Sequence, residues 1–277
     1  MAGEPQWGIL YVCPTPIGNL QDITLRVLNT LANVDVIACE DTRVSQKLLH
    51  HYQIKKPLFI CEAHHLSSAK QKIVAFLKQG KKVALITDAG MPGIQDPGQE
   101  IISFLEKEGF SVDILPGPSA MIPAVVYSGF STSGFVFIGF LPRLGRERKN
   151  LLEKTLSLPQ SLVMYEAPTR ILSTLHELIC YCGEERQVVL CRELTKIHQE
   201  ILRGSISDII GFLSAREVIK GEIVLVLEGT VKREKGLSKE MKKMVRFLRE
   251  KKLSQKDIVE SLSEIFSLKK NQLKDYL

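Results

Sequence analysis

Two carboxylates and a guanidinium stand within four residues in Glu40-Asp41-Thr42-Arg43. Such a trio can orient a hydroxyl, accept its proton and grip a phosphate. The same residues can equally close a loop with a salt bridge. Arg192, Glu193 and Lys196 form a second cluster open to the same two readings. Three further segments are rich in glycine and proline: Pro14 to Leu20, Asp88 to Gly98, and Pro116 to Ala120. Glycine lets backbone approach a ligand closely, and proline fixes the shape of a loop. Neither G-x-G-x-x-G nor G-x-x-x-x-G-K-[ST] occurs in these segments, which sets aside the standard dinucleotide and triphosphate cradles. A ligand held by loop backbone fits better. His50-His51 and His64-His65 point to different sides of any helix or strand, so neither pair is a natural metal clamp, and no metal is called for.

The segments that carry this chemistry must be held in place by regular elements. Each of the four follows a short apolar run: Gly8 to Pro14, Val34 to Cys39, Lys82 to Thr87, and Val112 to Leu115. Between these runs, apolar residues recur at helical spacing, as in Ile23, Val27, Leu28, Leu31 and Val34. Helices are also predicted over Val44 to His51, Ser67 to Gln79 and Gln99 to Glu108, with Leu58 to Cys61 as a further strand. This β-α-β alternation implies a mainly parallel sheet with helices on its faces. In such sheets ligands bind beyond the carboxyl ends of the strands, where the four segments lie.

After a linker at Ser131 to Gly134 the pattern restarts. Strands are predicted at Phe135 to Gly139, Ser161 to Tyr165, Gln187 to Arg192 and Glu222 to Glu228, with helices near Lys149 to Leu156, Thr169 to Cys182 and Ser205 to Leu213. Ser205 with Asp208 reads as a helix-capping pair. From Lys232 the strand signal disappears. Ser254 with Asp257 makes another capping pair, and a helix is predicted to resume over Leu268 to Leu277, so the segment reads as a small module of helix-turn-helix type. The fold class is therefore α/β, two-lobed, with an N-terminal lobe over 1–132, a second α/β lobe over 133–231 and a helical extension over 232–277.

Charge is divided along the same line. Of 277 residues, 44% are hydrophobic and 25% charged, as in ordinary globular proteins. The net charge is +6, yet the segment from Lys232 onward holds fourteen Lys/Arg against seven Asp/Glu, leaving the rest at −1. A basic tail on a near-neutral body points to a polyanionic partner, with a solvated helix as the plainer reading. Lys242, Lys243, Arg246 and Arg249 mostly share one side of a helix and are the candidate nucleic-acid contacts. No apolar run is long enough to span a membrane, and the start of the chain lacks a signal pattern, so a cytoplasmic location is expected. The six cysteines form no zinc-type spacing, which suits a reducing compartment.

Taken in order, the segments resemble the ribosomal RNA small subunit methyltransferase I family. The resemblance rests on Thr15-Pro-Ile-Gly-Asn-Leu20, Glu40-Asp-Thr-Arg43, Asp88-Ala-Gly90 with Asp96-Pro-Gly98, and Pro116-Gly-Pro-Ser-Ala120. It extends through Gly139-Phe-Leu-Pro142, Tyr165-Glu166, Arg192-Glu-Leu-Thr-Lys196, and Lys220-Gly-Glu222 with Glu228-Gly229, so that it spans about Leu10 to Gly229. The basic tail is similar to that family's helical extension. The resemblance implies a tetrapyrrole methylase-like fold, S-adenosyl-L-methionine bound between the lobes, and a homodimer. It also implies 2′-O-methylation of a cytidine in the decoding region of 16S RNA, on free RNA or on the 30S subunit. By the same resemblance the donor site draws on Pro16, Gly18, Asp88, Ala89, Gly90, Ile94, Ser119, Ala120, Tyr165, Leu194 and Val224. Glu40, Asp41 and Arg43 serve the acceptor. The family commonly has Thr at Met91, and Ser and His at Ala167 and Thr169. Two other readings stay open: a methylase of a small tetrapyrrole, and a non-catalytic RNA-binding assembly factor on the same fold.

Overall fold

The computed structural model describes residues 7–62, 65–130, 134–230, 239–251 and 253–266, with the side chains of 239, 240 and 242 also left aside. Residues 131–133 of the linker expected over 131–134, His64, the boundary at 232, the helix over 268–277 and the Lys242 side chain lie outside the described residues. The chain divides into two compact units, 1–229 and 230–277.

The first unit begins with a five-stranded parallel sheet. Its strands are β1 (Ile9–Val12), β2 (Val36–Cys39), β3 (Leu58–Ile60), β4 (Val83–Ile86) and β5 (Ser111–Ile114), in the order β3-β2-β4-β1-β5. The connecting helices are α1 (Leu25–Asn33), α2 (Thr42–His51), α3 (Leu66–Lys78) and α4 (Gly98–Lys107). The central strands are apolar throughout because both faces are covered. On one face Leu10, Val12, Val83 and Leu85 pack against Ile73 and Leu77 of α3 and Ile101 and Leu105 of α4. On the other, Ile37, Cys39, Ala84 and Ile86 meet Val27 and Leu31 of α1 and Leu49 of α2. Burial on two sides is what makes a parallel strand read as a continuous apolar run.

Helix α5 (Met121–Ser128) then leads to a second five-stranded sheet, ordered β6-β7-β10-β8-β9. Its strands are β6 (Phe135–Phe140), β7 (Ser161–Glu166), β8 (Gln187–Arg192), β9 (Glu200–Ser205) and β10 (Ile223–Leu227). Only β6 and β7 run parallel; β7-β10, β10-β8 and β8-β9 are antiparallel. Helices α6 (Arg146–Thr155), α7 (Ile171–Cys182) and α8 (Ile206–Ser214) cover one face through Leu152, Leu175, Leu178, Ile209 and Leu213. The capping box of α8 is present, with Ser205 Oγ accepting from the Asp208 amide and Asp208 accepting from the Ser205 amide.

The opposite face of this sheet forms the seam with the first half. Val163, Val189, Cys191, Val224 and Val226 pack with Ile17 from the loop after β1 and with Ala124 and Val125 of α5. The alternation along β10 sends Ile223, Leu225 and Leu227 to the helices and Val224 and Val226 to the seam. Two segments escape the apolar pattern and were not predicted. Strand β9 is an edge strand that holds Glu200, Arg203 and Gly204, and α5 carries Pro123 with three exposed apolar residues, Ile122, Val126 and Tyr127.

The second unit holds α9 (Lys239–Glu250) and α10 (Gln255–Phe266). Met241, Val245, Ile258, Val259 and Leu262 form its core. Asp257 donates its amide to Ser254 Oγ at 3.2 Å, as the sequence predicts. Lys243, Arg246 and Arg249 are exposed, the first two on the side of α9 away from that core.

Candidate active site

The ends of β1, β2 and β4 are stitched to one another. Thr15 and Gly90 exchange backbone hydrogen bonds of 2.9 and 3.0 Å, and Thr15 Oγ1 donates to the Thr87 carbonyl at 3.0 Å. The Asp41 amide donates to Asp88 Oδ1 at 3.2 Å. Gly90 sits at φ +82°, a left-handed conformation that costs glycine nothing and L residues about 1–2 kcal/mol. Asp96 closes the rest of the loop after β4 on itself, its carboxylate accepting from the amides of Gly93 at 2.9 Å and Gly98 at 2.7 Å. Gln95 reaches the other half of the molecule, where its Oε1 accepts from the Phe140 amide at 3.1 Å.

These contacts frame a cavity of about 470 Å³ between the two sheets. Of the residues assigned to a donor by resemblance, Asp88, Ala89, Gly90, Ile94, Ser119, Ala120, Tyr165 and Val224 line it. So does Glu40, with two of the three departures, Met91 and Ala167. Pro16 and Gly18 line a neighbouring cavity instead. Leu194 lines neither; it is 5% exposed and packs in the seam with Ile17. Gly18 is there because the halves approach closely: a Cβ at that position would stand 2.5 Å from Lys196 Cγ and 3.0 Å from the Leu194 carbonyl oxygen.

The trio of the first loop separates into different environments. Asp41 is the N-cap of α2 and accepts from the Arg43 amide at 2.8 Å. Its carboxylate also receives Arg43 Nη2 at 2.6 Å and Nε at 3.1 Å. Those hydrogen bonds from Arg43 hold the Asp41 pKa at about 2. Glu40 differs: burial, and then the nearby Asp88 charge, push its pKa up. Asp88 is raised as well, chiefly by burial. Among these carboxylates Glu40 and Asp88 are thus held above their ordinary pKa, and Asp41 below it as a fixed anion.

The second cluster splits as well. Arg192 turns to Glu200 at 2.9 Å, and Glu200 also pairs with Arg216. Lys196 Nζ lies between Glu193 at 2.9 Å and Glu222 at 3.1 Å. Glu193 Oε1 also accepts from the Glu222 amide at 2.8 Å, which ties the loop after β8 to the start of β10. Tyr165 lies in the cavity wall with its pKa raised by burial, and the rings of Phe137 and Phe140 stand 5.0 and 5.5 Å from its own.

Several wall residues lie in the quoted segments but had been given no role. Gln95, Glu166, Gly221 and Glu222 line the cavity. Glu166 is almost wholly buried, accepting from Thr174 Oγ1 at 2.7 Å and from the Ala167 amide at 2.8 Å. Its place after a strand, like that of Glu40, is the cue that was available. Among the described residues no group of His, Cys, Asp and Glu is arranged to hold a metal ion. No helix of the described residues is long and apolar enough to cross a membrane.

Residues 10–210 match the model of the tetrapyrrole (corrin/porphyrin) methylases. A Thermotoga maritima protein named ribosomal RNA small subunit methyltransferase I is 46% identical over 222 residues, covering 80% of this chain and 99% of that one. A Haemophilus influenzae protein of the same name is 42% identical over 269 residues, covering 96% and 95% of the two chains. Among solved structures, diphthine synthase superposes with a TM-score of 0.64 at 13% identity, covering 80% of this chain and 90% of that one. Thermus thermophilus uroporphyrin-III C-methyltransferase complexed with S-adenosylhomocysteine gives 0.58 at 16% identity, covering 82% and 99%. These structural likenesses speak for the fold alone.

Proposed function

The chain belongs to the ribosomal RNA small subunit methyltransferase I family, within the tetrapyrrole methylases, and from that premise we propose that it 2′-O-methylates a cytidine in the decoding region of small-subunit ribosomal RNA. The observation that carries the reading is the 470 Å³ cavity, built from the very loops whose motifs the family resemblance rests on. The methyl donor is S-adenosylmethionine, which supplies an electrophilic methyl group. The cavity suits it: apolar walls from Ile17, Ile94 and Val224 meet a loop whose backbone is left open by Gly90.

Transfer is a displacement in line with the leaving sulfur. The ribose oxygen forms a bond to the methyl carbon as the carbon–sulfur bond breaks, the sulfur leaves neutral, and the hydroxyl proton passes to a base. Alignment is the larger part of the task. Glu40 is the acceptor for that proton, because its raised pKa gives it affinity for one. Asp41 holds Arg43 at the rim, where the guanidinium faces a phosphate of the acceptor strand. The donor contacts are those of Asp88, Ala89, Gly90, Ile94, Ser119, Ala120, Tyr165 and Val224, with Pro16, Gly18 and Leu194 shaping the seam. The unit from 230 onward adds affinity for RNA through Lys242, Lys243, Arg246 and Arg249. The working form is a cytoplasmic homodimer.

The test is transfer of labelled methyl from S-adenosylmethionine to small ribosomal subunits that lack the modification, with a porphyrinoid acceptor in parallel. Label in RNA supports the reading. Label only in the porphyrinoid replaces it with small-molecule methylation, and donor binding without transfer to either favours an assembly factor.

A further inference from the structure

A second cavity of about 390 Å³ adjoins the donor cavity and shares Ile17, Thr87, Asp88, Ala89 and Glu222 with it. Its other walls include Gly18, Leu20, Ser45, Lys47 and Lys196. The Ser45 side chain is buried there, beside the Cys39 thiol.

Leu20 and Lys47 also belong to a shallow groove along α2, lined further by Arg43, Gln46, His50 and His51. Residues 43, 46, 47 and 50 follow one another at helical spacing of three, one and three, so they share one exposed face, while Ser45, Leu48 and Leu49 turn inward. Donor cavity, second cavity and groove are therefore continuous. Arg43 is neutralised in part by Asp41, whereas Lys47 makes no ion pair among the described residues. It stands where the cavity opens onto the groove.

We propose that the second cavity receives the acceptor nucleotide, that the α2 groove carries the adjoining stretch of single-stranded RNA, and that Lys47 binds a phosphate at the junction. This rests on the ribosomal RNA reading above. A nucleotide buried in a cavity must leave a duplex to get there, so the strand is single at this point. Gln46 offers hydrogen bonds and the His50 and His51 rings offer stacking faces along its path. The basic stripe of α9 lies in the other unit and plays no part in this assignment.

The experiment uses the full chain and an RNA oligonucleotide of the decoding region, with binding and methyl transfer measured across a salt series. Lys47→Ala is compared with Lys47→Arg and with Lys107→Ala, a charge-matched change on exposed α4. Loss of one phosphate contact on a single strand should reduce the log–log salt slope by about 0.7 and weaken binding about three- to tenfold. Lys47→Ala should show both, with KM for RNA raised more than kcat is lowered and donor affinity unchanged. Lys47→Arg should restore the slope, and Lys107→Ala should match the wild type. An unchanged slope and KM in Lys47→Ala, with wild-type methylation of RNA intact, overturns the inference and leaves the function standing. A wild-type protein that methylates no ribosomal RNA overturns both.

Discussion

The backbone amide of Asp41 and the carboxylate of Asp88 are joined by a hydrogen bond of 3.2 Å, so the loop that holds the trio is fixed to the loop that frames the donor cavity. The Asp88 charge in turn contributes, after burial, to the raised pKa of Glu40. Replacing Asp88 by Asn keeps an acceptor for the Asp41 amide and removes that charge. With the charge gone, the Glu40 pKa falls, and the base is deprotonated to a lower pH. The acid limb of a kcat-against-pH profile should accordingly move to lower pH in Asp88→Asn. A limb that stays in place would remove Glu40 from the proton-accepting role.

Asp41 has two duties that substitution can separate. As N-cap of α2 it can be replaced by Asn, which caps equally well, but not by Ala, which costs about 1 kcal/mol. As the anion that holds Arg43 it can be replaced by neither. Thermal unfolding should place Asp41→Asn near the wild type and Asp41→Ala a few degrees below it, while methyl transfer falls in both by more than tenfold. Equal activity in Asp41→Asn and the wild type would confine Asp41 to capping.

Gly90 lies at φ +82°, and a Cβ there would meet Ile17 Cγ2 at 3.5 Å, an ordinary contact. Space therefore does not forbid alanine; the backbone conformation does. Gly90→Ala should lower stability by about 1–2 kcal/mol, and Gly90→Val by more because a branched side chain fits left-handed backbone worse. Both should weaken donor binding, measured by calorimetry, as the strained loop relaxes away from its place opposite Thr15. Wild-type donor affinity in a folded Gly90→Val would take this loop out of the donor site.

How far the sequence reveals these features depends on what carries the signal. The parallel sheet was legible because strands such as Val83–Ile86 are buried on both faces and leave apolar runs between glycine-rich loops. The antiparallel pairing of the second sheet was not, since β7, β8 and β10 are equally apolar whichever way their neighbours run. Edge strand β9 stays hidden for the opposite reason: polar residues on an exposed edge carry no period. At the site, Glu40 and Gly90 announce themselves by following strands. Gln95 does not, because its contact with the Phe140 amide joins segments 45 positions apart that no local pattern links.

The Thermotoga maritima relative is matched over 99% of its length by 222 residues, so about a fifth of this chain has no counterpart there. We propose that the α9–α10 unit serves affinity for RNA and not the chemistry. Removing residues from 231 onward should leave donor affinity unchanged, weaken RNA binding and flatten its salt dependence, with turnover at saturating RNA retained. Unchanged affinity and slope in the shortened protein would assign the unit to packing alone.

The central claim is tested most directly by mass spectrometry of nucleosides from small-subunit RNA, after incubation of unmodified subunits with the protein and S-adenosylmethionine. The account predicts one new 2′-O-methylcytidine per subunit, within the decoding region, and none when Glu40 is replaced by Gln. A methyl group found on a base, on a ribose other than cytidine's, or on no nucleotide at all would contradict it.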